Sequence, residues 1–177
     1  MSQYPLWNQL NTLKEAQWVD LTHTFDPNIP RFSEFEKGEV STLFNVKDHG
    51  FYVQRWSIVT QYGTHIDAPI HFVENRRYLE ELDLKELVLP LIVLDYSKEA
   101  AQNSDFIVSR KHLEDWEQQH GRIEAGTFVA LRTDWSKRWP DIEKFENKDV
   151  DGHQHLPGWG LDAVSYTHLR AHETRHD

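Results

Sequence analysis

The stretch QYGTHIDAPIHF, residues 61–72, places His65, Asp67 and His71 at fixed spacing. Imidazole nitrogens and carboxylate oxygens are ligands of divalent ions such as zinc and manganese, and one carboxylate can bridge two ions. A neutral imidazole beside such an ion suits general-base chemistry, since its pKa of about 6.5 lies near neutral pH. A bound ion would lower the pKa of a nearby water molecule. The spacing alone leaves two interpretations open, a metal site or a turn of hydrogen-bonded polar residues.

The backbone that carries these residues is predicted to be extended. Alternate side chains of an extended segment share a face, so Gln61 would point the same way as the two histidines and the aspartate. Gly63 and Pro69 are poor helix formers, so no helix is expected here. Both residues also bend the chain, which makes the shared face approximate.

Strands are predicted on both sides of the motif. Residues 51–60 are dense in aromatic and β-branched side chains and lead directly into it. Residues 89–96, LPLIVLDY, form a nearly continuous apolar run typical of a strand buried on both faces, and residues 128–132 resemble them. A further strand is predicted at residues 17–22.

One helix is predicted between the two apolar strands. It covers residues 109–120, with Ser109 as N-cap, Leu113 and Trp116 on one face, and Gly121 as its stop. Strand, helix and strand in this order indicate an α/β architecture. Residues 140–152 are predicted to form a charged loop.

The composition narrows the class of function. A chain of 177 residues with 38% hydrophobic residues suits one domain with a core. Its net charge of −10 disfavours nucleic acid and anionic membranes as partners and favours a small-molecule substrate. Without cysteine, any metal must be held by nitrogen and oxygen. No apolar run is long enough to cross a membrane and no secretory signal is evident, so we expect a soluble, cytoplasmic protein.

The last residues have a different character. Residues 164–177, VSYTHLRAHETRHD, are polar and show no sustained period. The string VSYTHLRAHET resembles the in-frame translation of a transposase adapter used in sequencing libraries. We therefore expect residues 1–163 to be a native domain that is truncated at its C-terminal end, and residues 164–177 to be an adapter-derived tail. His168, His172 and His176 would then not be ligands; the alternative is a natural polar terminus.

The motif closely resembles the signature H-x-G-T-H-x-D-x-P-x-H-F of the cyclase-like metal hydrolases, a group that includes bacterial kynurenine formamidase and isatin hydrolase. Similarity extends to four further stretches, namely Asp20–His23, Leu89–Tyr96, Leu131–Trp135 and Leu156–Trp159. The resemblance implies an α/β fold of the swivelling β/β/α type, incomplete here at the C-terminus. It also implies assembly as a homodimer or a larger homo-oligomer.

The resemblance implies a role for each residue of the site. His65 and Asp67 would be metal ligands, and His71 would have the acid/base role. Phe32 would lie against the substrate. Gln61 stands where the signature has its leading histidine, and an amide oxygen, a harder and weaker ligand than imidazole, favours manganese over zinc. Relatives complete the site with a later histidine and glutamate, for which no matching segment precedes residue 164.

The resulting hypothesis is a metal-dependent hydrolase that cleaves a small amide, an aryl formamide or a cyclic amide by metal-activated water. One alternative is a non-catalytic, small-molecule-binding protein of the same fold, with Gln61 marking a weakened site. The other is an inactive truncated fragment. The remaining polar and aromatic candidates are expected to be ordinary surface, hydrogen-bonded or packing residues: His23, His49, His112, His120, Trp135 and Trp139.

Overall fold

The computed structural model describes residues 4–172, with side chains as far as Thr167. Over this range the helices are α1 (Pro5–Glu15), α2 (Val46–His49), α3 (Ser97–Gln102), α4 (Arg110–His120), α5 (Ile142–Glu146) and α6 (Leu161–His172). The strands are β1 (Glu39–Phe44), β2 (Val53–Ser57), β3 (Leu91–Asp95), β4 (Ile107–Val108), β5 (Phe128–Arg132) and β6 (Gly158–Trp159). Short 3-10 turns lie at Pro69–His71, Leu79–Glu81, Leu84–Leu87 and Trp135–Arg138.

Within the described residues the strands form three separate pairs. β1 and β2 are antiparallel, whereas β3 pairs with β5, and β4 with β6, in parallel. Parallel neighbours need a long crossover connection, and α4 lies in the crossover between β3 and β5. The predicted order of strand, helix and strand is therefore confirmed.

Helix α4 begins and ends where its sequence predicts. The backbone N–H of Ser109 donates to Nδ1 of His112 at 2.9 Å, and Gly121 ends the helix with φ of 95°, a region that favours glycine. Leu113 is fully buried in the middle of the helix. Trp116 packs beside it on the same face.

The core lies between β3, β5, α4 and α6. Its buried members are Leu94, Leu113, Ala163 and Tyr166. The Tyr166 hydroxyl also donates a hydrogen bond to Glu117 at 2.7 Å. Residues 164–172, in which the sequence shows no period, thus continue α6, and Tyr166 among them contributes to the core. The adapter origin of residues 164–177 stays a prediction, because a foreign segment can also fold against an apolar surface. His176 and the side chains of His168 and His172 lie outside the described part.

Other predicted elements are shorter than expected or wrong. β2 covers only the middle of residues 51–60, and β3 only the middle of 89–96. β3 is not buried on both faces, because Leu94 is buried while Val93 is exposed on the uncovered side. Residues 17–22 form no strand, since the described chain offers them no partner ladder. Residues 140–152 contain helix α5, which Asp141 caps by accepting from the Lys144 N–H.

The accessible surface is large for the chain's mass. It measures 14478 Å², whereas a compact monomer of 21.0 kDa would expose about 9,000 Å². Helix α1 contributes to the excess, since none of its residues is buried. Among residues 4–172, no helix combines the length and the apolar character that crossing a bilayer requires.

Candidate functional site

The motif follows β2 as an irregular segment and ends in the 3-10 turn Pro69–His71. The expectation that one strand face aligns its side chains is therefore wrong. The expected convergence of the donor atoms is nevertheless present. Nε2 of His65 lies 3.4 Å from Oδ1 of Asp67, and Nε2 of His71 lies 3.8 Å from the same oxygen. The turn that Pro69 begins returns His71 toward Asp67.

Close packing fixes the start of the motif. Gly63 has φ of 72°, and a Cβ there would lie 3.0 Å from the Phe25 ring and 3.3 Å from Ile29, so glycine fits both the backbone and the space. The buried Tyr62 donates its hydroxyl to the Pro27 carbonyl at 2.6 Å and accepts from the Gly38 N–H at 3.2 Å. These bonds join the motif to the loop 27–38.

The hydrogen bond of His65 determines which of its nitrogens carries the proton. Nδ1 lies 2.8 Å from the Gly63 carbonyl oxygen, which can only accept, so Nδ1 donates. In the neutral ring, Nε2 then presents its lone pair to the carboxylate of Asp67. Two acceptors that face each other at 3.4 Å repel unless a proton or a metal cation lies between them. This donor set therefore fits a divalent ion, with the second imidazole nitrogen held by a carbonyl as is usual for metal-ligating histidines.

Gln61 is oriented differently from the predicted ligands beside it. Its Oε1 accepts a hydrogen bond from the Thr60 hydroxyl at 2.6 Å. No hydrogen bond between described residues joins it to His65, Asp67 or His71. The amide oxygen has a second lone pair and Gln61 lines the same cavity, so its role as a ligand stays a prediction.

Gln61, His65 and His71 line an open cavity of about 580 Å³, and Asp67 contacts the two histidines without being part of the lining. Phe32, predicted to lie against a substrate, is in its wall beside Phe35, with the two rings edge to face at 5.2 Å. The complete lining is Pro30, Arg31, Phe32, Phe35, Gln61, Gly63, His65, His71, Phe72, Trp139 and Phe145. Aromatic walls of this kind accept flat apolar rings.

The aromatic wall from the second half of the chain was not predicted as part of the site. Trp139 and Phe145 meet edge to face at 5.6 Å. Trp139, predicted only to pack, also stacks on His23, whose backbone N–H donates to the Thr64 hydroxyl at 3.0 Å. His23 thus contacts both Trp139 of the cavity wall and Thr64 of the motif, and so links the two. Nothing local in the sequence indicates these contacts, since they join distant segments.

Three other residues that were predicted only to pack or to form hydrogen bonds do so. Trp135 packs, with its indole N–H donating to the Phe145 carbonyl at 2.9 Å and the Arg138 guanidinium 3.5 Å above its ring. Nδ1 of His49 accepts from the Asn45 N–H. His120 lies against Trp116 with the ring centroids 4.7 Å apart.

A second group of potential ligands lies outside the cavity wall. Asp149, Asp151 and His153 are exposed, and each offers a donor atom within 4.8 Å of the others. Oδ1 of Asp149 already accepts the backbone N–H groups of His153 and Asp151, and these hydrogen bonds, chiefly the one from His153, lower the pKa of Asp149 and fix the loop. His155 contacts Asp105 and Asp149, and the hydrogen bond to Asp105 is the main cause of its raised pKa. We place the candidate site at the cavity, because His65 and His71 line a space that can hold a substrate, whereas Asp149, Asp151 and His153 are not part of that lining.

Three comparisons with known proteins agree with one another. The family model described as "Putative cyclase" matches residues 19–173. The isatin hydrolase of Roseibium aggregatum is 35% identical over 165 residues, and the kynurenine formamidase of Bacillus thuringiensis subsp. konkukian is 23% identical over 142 residues. These alignments cover 86% and 78% of this chain, but only 62% and 63% of the respective relatives.

Among solved structures, the chain resembles an isatin hydrolase bound to the product analogue thioisatinate. The TM-score is 0.85 at 32% identity, and the match covers 97% of this chain and 71% of the other. The mixed helix and sheet architecture predicted from the sequence is confirmed by this likeness.

Proposed function

The chain belongs to the cyclase family, as its motif predicts, and from this premise we propose that it is a metal-dependent hydrolase of a small amide, an aryl formamide or a cyclic amide. Its relatives in the comparisons are isatin hydrolase and kynurenine formamidase. The observation that carries the proposal is the pair of acceptors, His65 Nε2 and Asp67 Oδ1, that face each other beside an aromatic cavity.

His65 and Asp67 would hold the ion, with the amide oxygen of Gln61 as a further ligand. Manganese or zinc is the proposed metal, and the oxygen of Gln61 favours manganese. The exposed residues Asp149, Asp151 and His153 are a second candidate group of metal ligands. When bound, the ion would supply Lewis acidity, which lowers the pKa of water and polarises the scissile carbonyl.

The chain's own residues would orient the substrate and move the proton. The rings of Phe32 and Trp139 would hold the flat part of the substrate. His71, through Nε2, would take a proton from water as its oxygen bonds to the carbonyl carbon, and would return it to the departing nitrogen as the C–N bond breaks. Amide and water give a carboxylic acid and an amine, which stay in one molecule when the substrate is a cyclic amide, so no further reactant is needed.

We also propose a homo-oligomer. The excess of accessible surface over a compact monomer supports this, as does helix α1, whose exposed apolar side chains are Leu6, Trp7, Leu10 and Leu13. Covering apolar area of this kind favours association. A cytoplasmic location stays a prediction from the sequence.

The proposal is tested by loading the chain with manganese or zinc and assaying isatin, N-formylkynurenine and simple aryl formamides. We expect turnover of at least one class, and His71→Ala should lower kcat by about 100- to 10,000-fold because the proton carrier is lost. His49→Ala is the matched control, since this histidine contacts Asn45 outside the cavity wall. Inertness toward the whole panel, or an unchanged rate in His71→Ala, would contradict the proposal.

A non-catalytic binding protein is the second candidate. The hydrogen bond from the Thr60 hydroxyl to Oε1 of Gln61 favours the binding protein, because it occupies one of the two lone pairs of the oxygen that would ligate the metal. The metal content after dialysis distinguishes the hydrolase from the binding protein. A hydrolase should retain stoichiometric metal, whereas a binding protein with a degenerate site should not.

A further inference from the structure

Arg31 is the one arginine in the cavity wall, whose lining contains no lysine. Every other lining residue is apolar, an amide or a histidine. No carboxylate side chain is among the lining residues, although the whole chain carries a net charge of −10, and the carboxylate of Asp67 contacts the lining histidines His65 and His71. A local positive charge on an acidic protein creates a place where an anion can bind.

The guanidinium is held in place without being neutralised. Nε of Arg31 donates to the Phe35 carbonyl at 3.1 Å, and the side chain is half-buried. The hydroxyl of Tyr62 fixes the loop 27–38 that carries it, through Pro27 and Gly38. Within the described part of the chain, Arg31 forms no ion pair. By contrast, Arg77, Arg110 and Arg132 each contact a carboxylate at 3.1 Å or less.

An anchored arginine whose terminal nitrogens contact no carboxylate among the described residues is suited to one kind of ligand group. The planar fork of a guanidinium binds a carboxylate through two parallel hydrogen bonds, which a lysine cannot do. Anchoring through Nε also reduces the side-chain entropy lost on binding. Phe32 and Phe35, adjacent in the same wall, would cover a flat ring.

We propose that Arg31 selects the substrate by binding a carboxylate that the substrate carries apart from its scissile amide. The preferred substrates are then small aryl amides that bear an acid group. This inference rests on the proposed function for the reaction itself, and it adds the charge of the substrate and the residue that recognises it.

A different role for Arg31 makes a different kinetic prediction. If the guanidinium instead contacted the oxygen of the scissile carbonyl, its loss would slow every amide alike. A recognition role affects only the substrates that carry the additional carboxylate, and it acts on KM more than on kcat.

The test compares 2-formamidobenzoate with formanilide, which differ only in the carboxylate. In Arg31→Met we expect KM for 2-formamidobenzoate to rise by about 10- to 100-fold, as for loss of a charged hydrogen-bonded pair, with formanilide changed less than about 2-fold. Arg31→Lys should restore part of the preference. Arg55→Met, on strand β2 outside the cavity wall, removes the same charge as a control. An equal effect on both substrates, or none, would overturn the proposal.

A binding measurement separates this inference from the activity. Titration calorimetry with benzoate and with benzamide is run on wild type and Arg31→Met, both with bound metal and after metal removal. Benzoate should bind wild type at least about 10-fold more tightly than Arg31→Met in both states, with benzamide unaffected. If no amide is hydrolysed but this difference is found, the proposed reaction fails and the recognition by Arg31 stands. If benzoate binds both proteins equally, and circular dichroism shows both folded, the recognition by Arg31 is wrong whatever the activity.

Discussion

The imidazole of His23 lies parallel to the indole of Trp139, with 4.4 Å between the ring centroids and 9° between the planes. This stack joins the first segment of the chain to the aromatic wall of the candidate cavity, and the His23 N–H to Thr64 extends the connection to the motif. The position of Trp139 therefore depends on a residue that has no place in the cavity lining.

Removing this stack should weaken substrate binding. In His23→Ala we expect KM for aryl amides to rise by about 2- to 10-fold, because aromatic pairs of this kind contribute about 0.5–1.5 kcal/mol, with a smaller change in kcat. His23→Phe should retain most of the affinity. The control is His120→Ala, which removes a histidine from Trp116 at 4.7 Å outside the cavity wall. Equal KM values in His23→Ala and wild type would show that Trp139 needs no such support.

Two groups of potential ligands can be distinguished by one matched pair of substitutions. Asp67→Asn should abolish retention of manganese or zinc after dialysis, because the carboxylate common to His65 and His71 is lost. Asp151→Asn, in the exposed triad, should leave the metal content unchanged. Atomic absorption measures both. Loss of metal in Asp151→Asn alone would show that the metal binds at Asp149, Asp151 and His153 and not at the cavity.

Gln61 offers a gain-of-affinity experiment. Gln61→His introduces the residue of the family signature, and a nitrogen ligand should increase zinc affinity by about 10-fold or more relative to manganese. Gln61→Leu removes the donor and should weaken both metals if the amide oxygen ligates. Competition with a chelator measures both. Should Gln61→Leu bind metal like wild type, Gln61 is not a ligand, in keeping with its bond to Thr60.

The pH dependence of stability should report on His155. Hydrogen bonds to Asp105 and Asp149 raise its pKa in the folded protein, so protonated His155 stabilises the fold. This contribution is fully present below the unfolded pKa of about 6.5 and is lost as the pH rises through the folded value. The difference in Tm between wild type and His155→Gln should therefore be clear at pH 6 and shrink above it. In Asp105→Asn, an NMR titration should give a lower pKa for His155; an unchanged value would contradict this account.

The parts of the fold that the sequence predicts are those decided locally. Helix α4 has its cap at Ser109 and its stop at Gly121, and β5 occupies the predicted residues 128–132. The predicted strand at 17–22 failed for a different reason. A strand requires a partner, and β propensity cannot supply one.

The candidate site likewise has a part that local sequence predicts and a part that depends on long-range contacts. The motif spacing predicts that His65, Asp67 and His71 come together, although a turn at Pro69 and not a strand face does this. Trp139 and Phe145 reach the cavity only through long-range packing, so no spacing rule indicates them. The family resemblance indicates Phe32 but not its neighbour Arg31, because a single arginine forms no sequence pattern that could be recognised.

The strand pair β3 and β5 has a consequence for handling the protein. Each strand hydrogen-bonds to a neighbour along one edge only within residues 4–172, and Leu91 and Val93 are exposed on β3. Bare strand edges are templates on which other chains can add, which leads to aggregation at high concentration unless charge or proline interrupts them. Concentrated stocks should therefore lose monodispersity with time. Val93→Lys would place a charge at an exposed position of β3 and should keep the protein in solution.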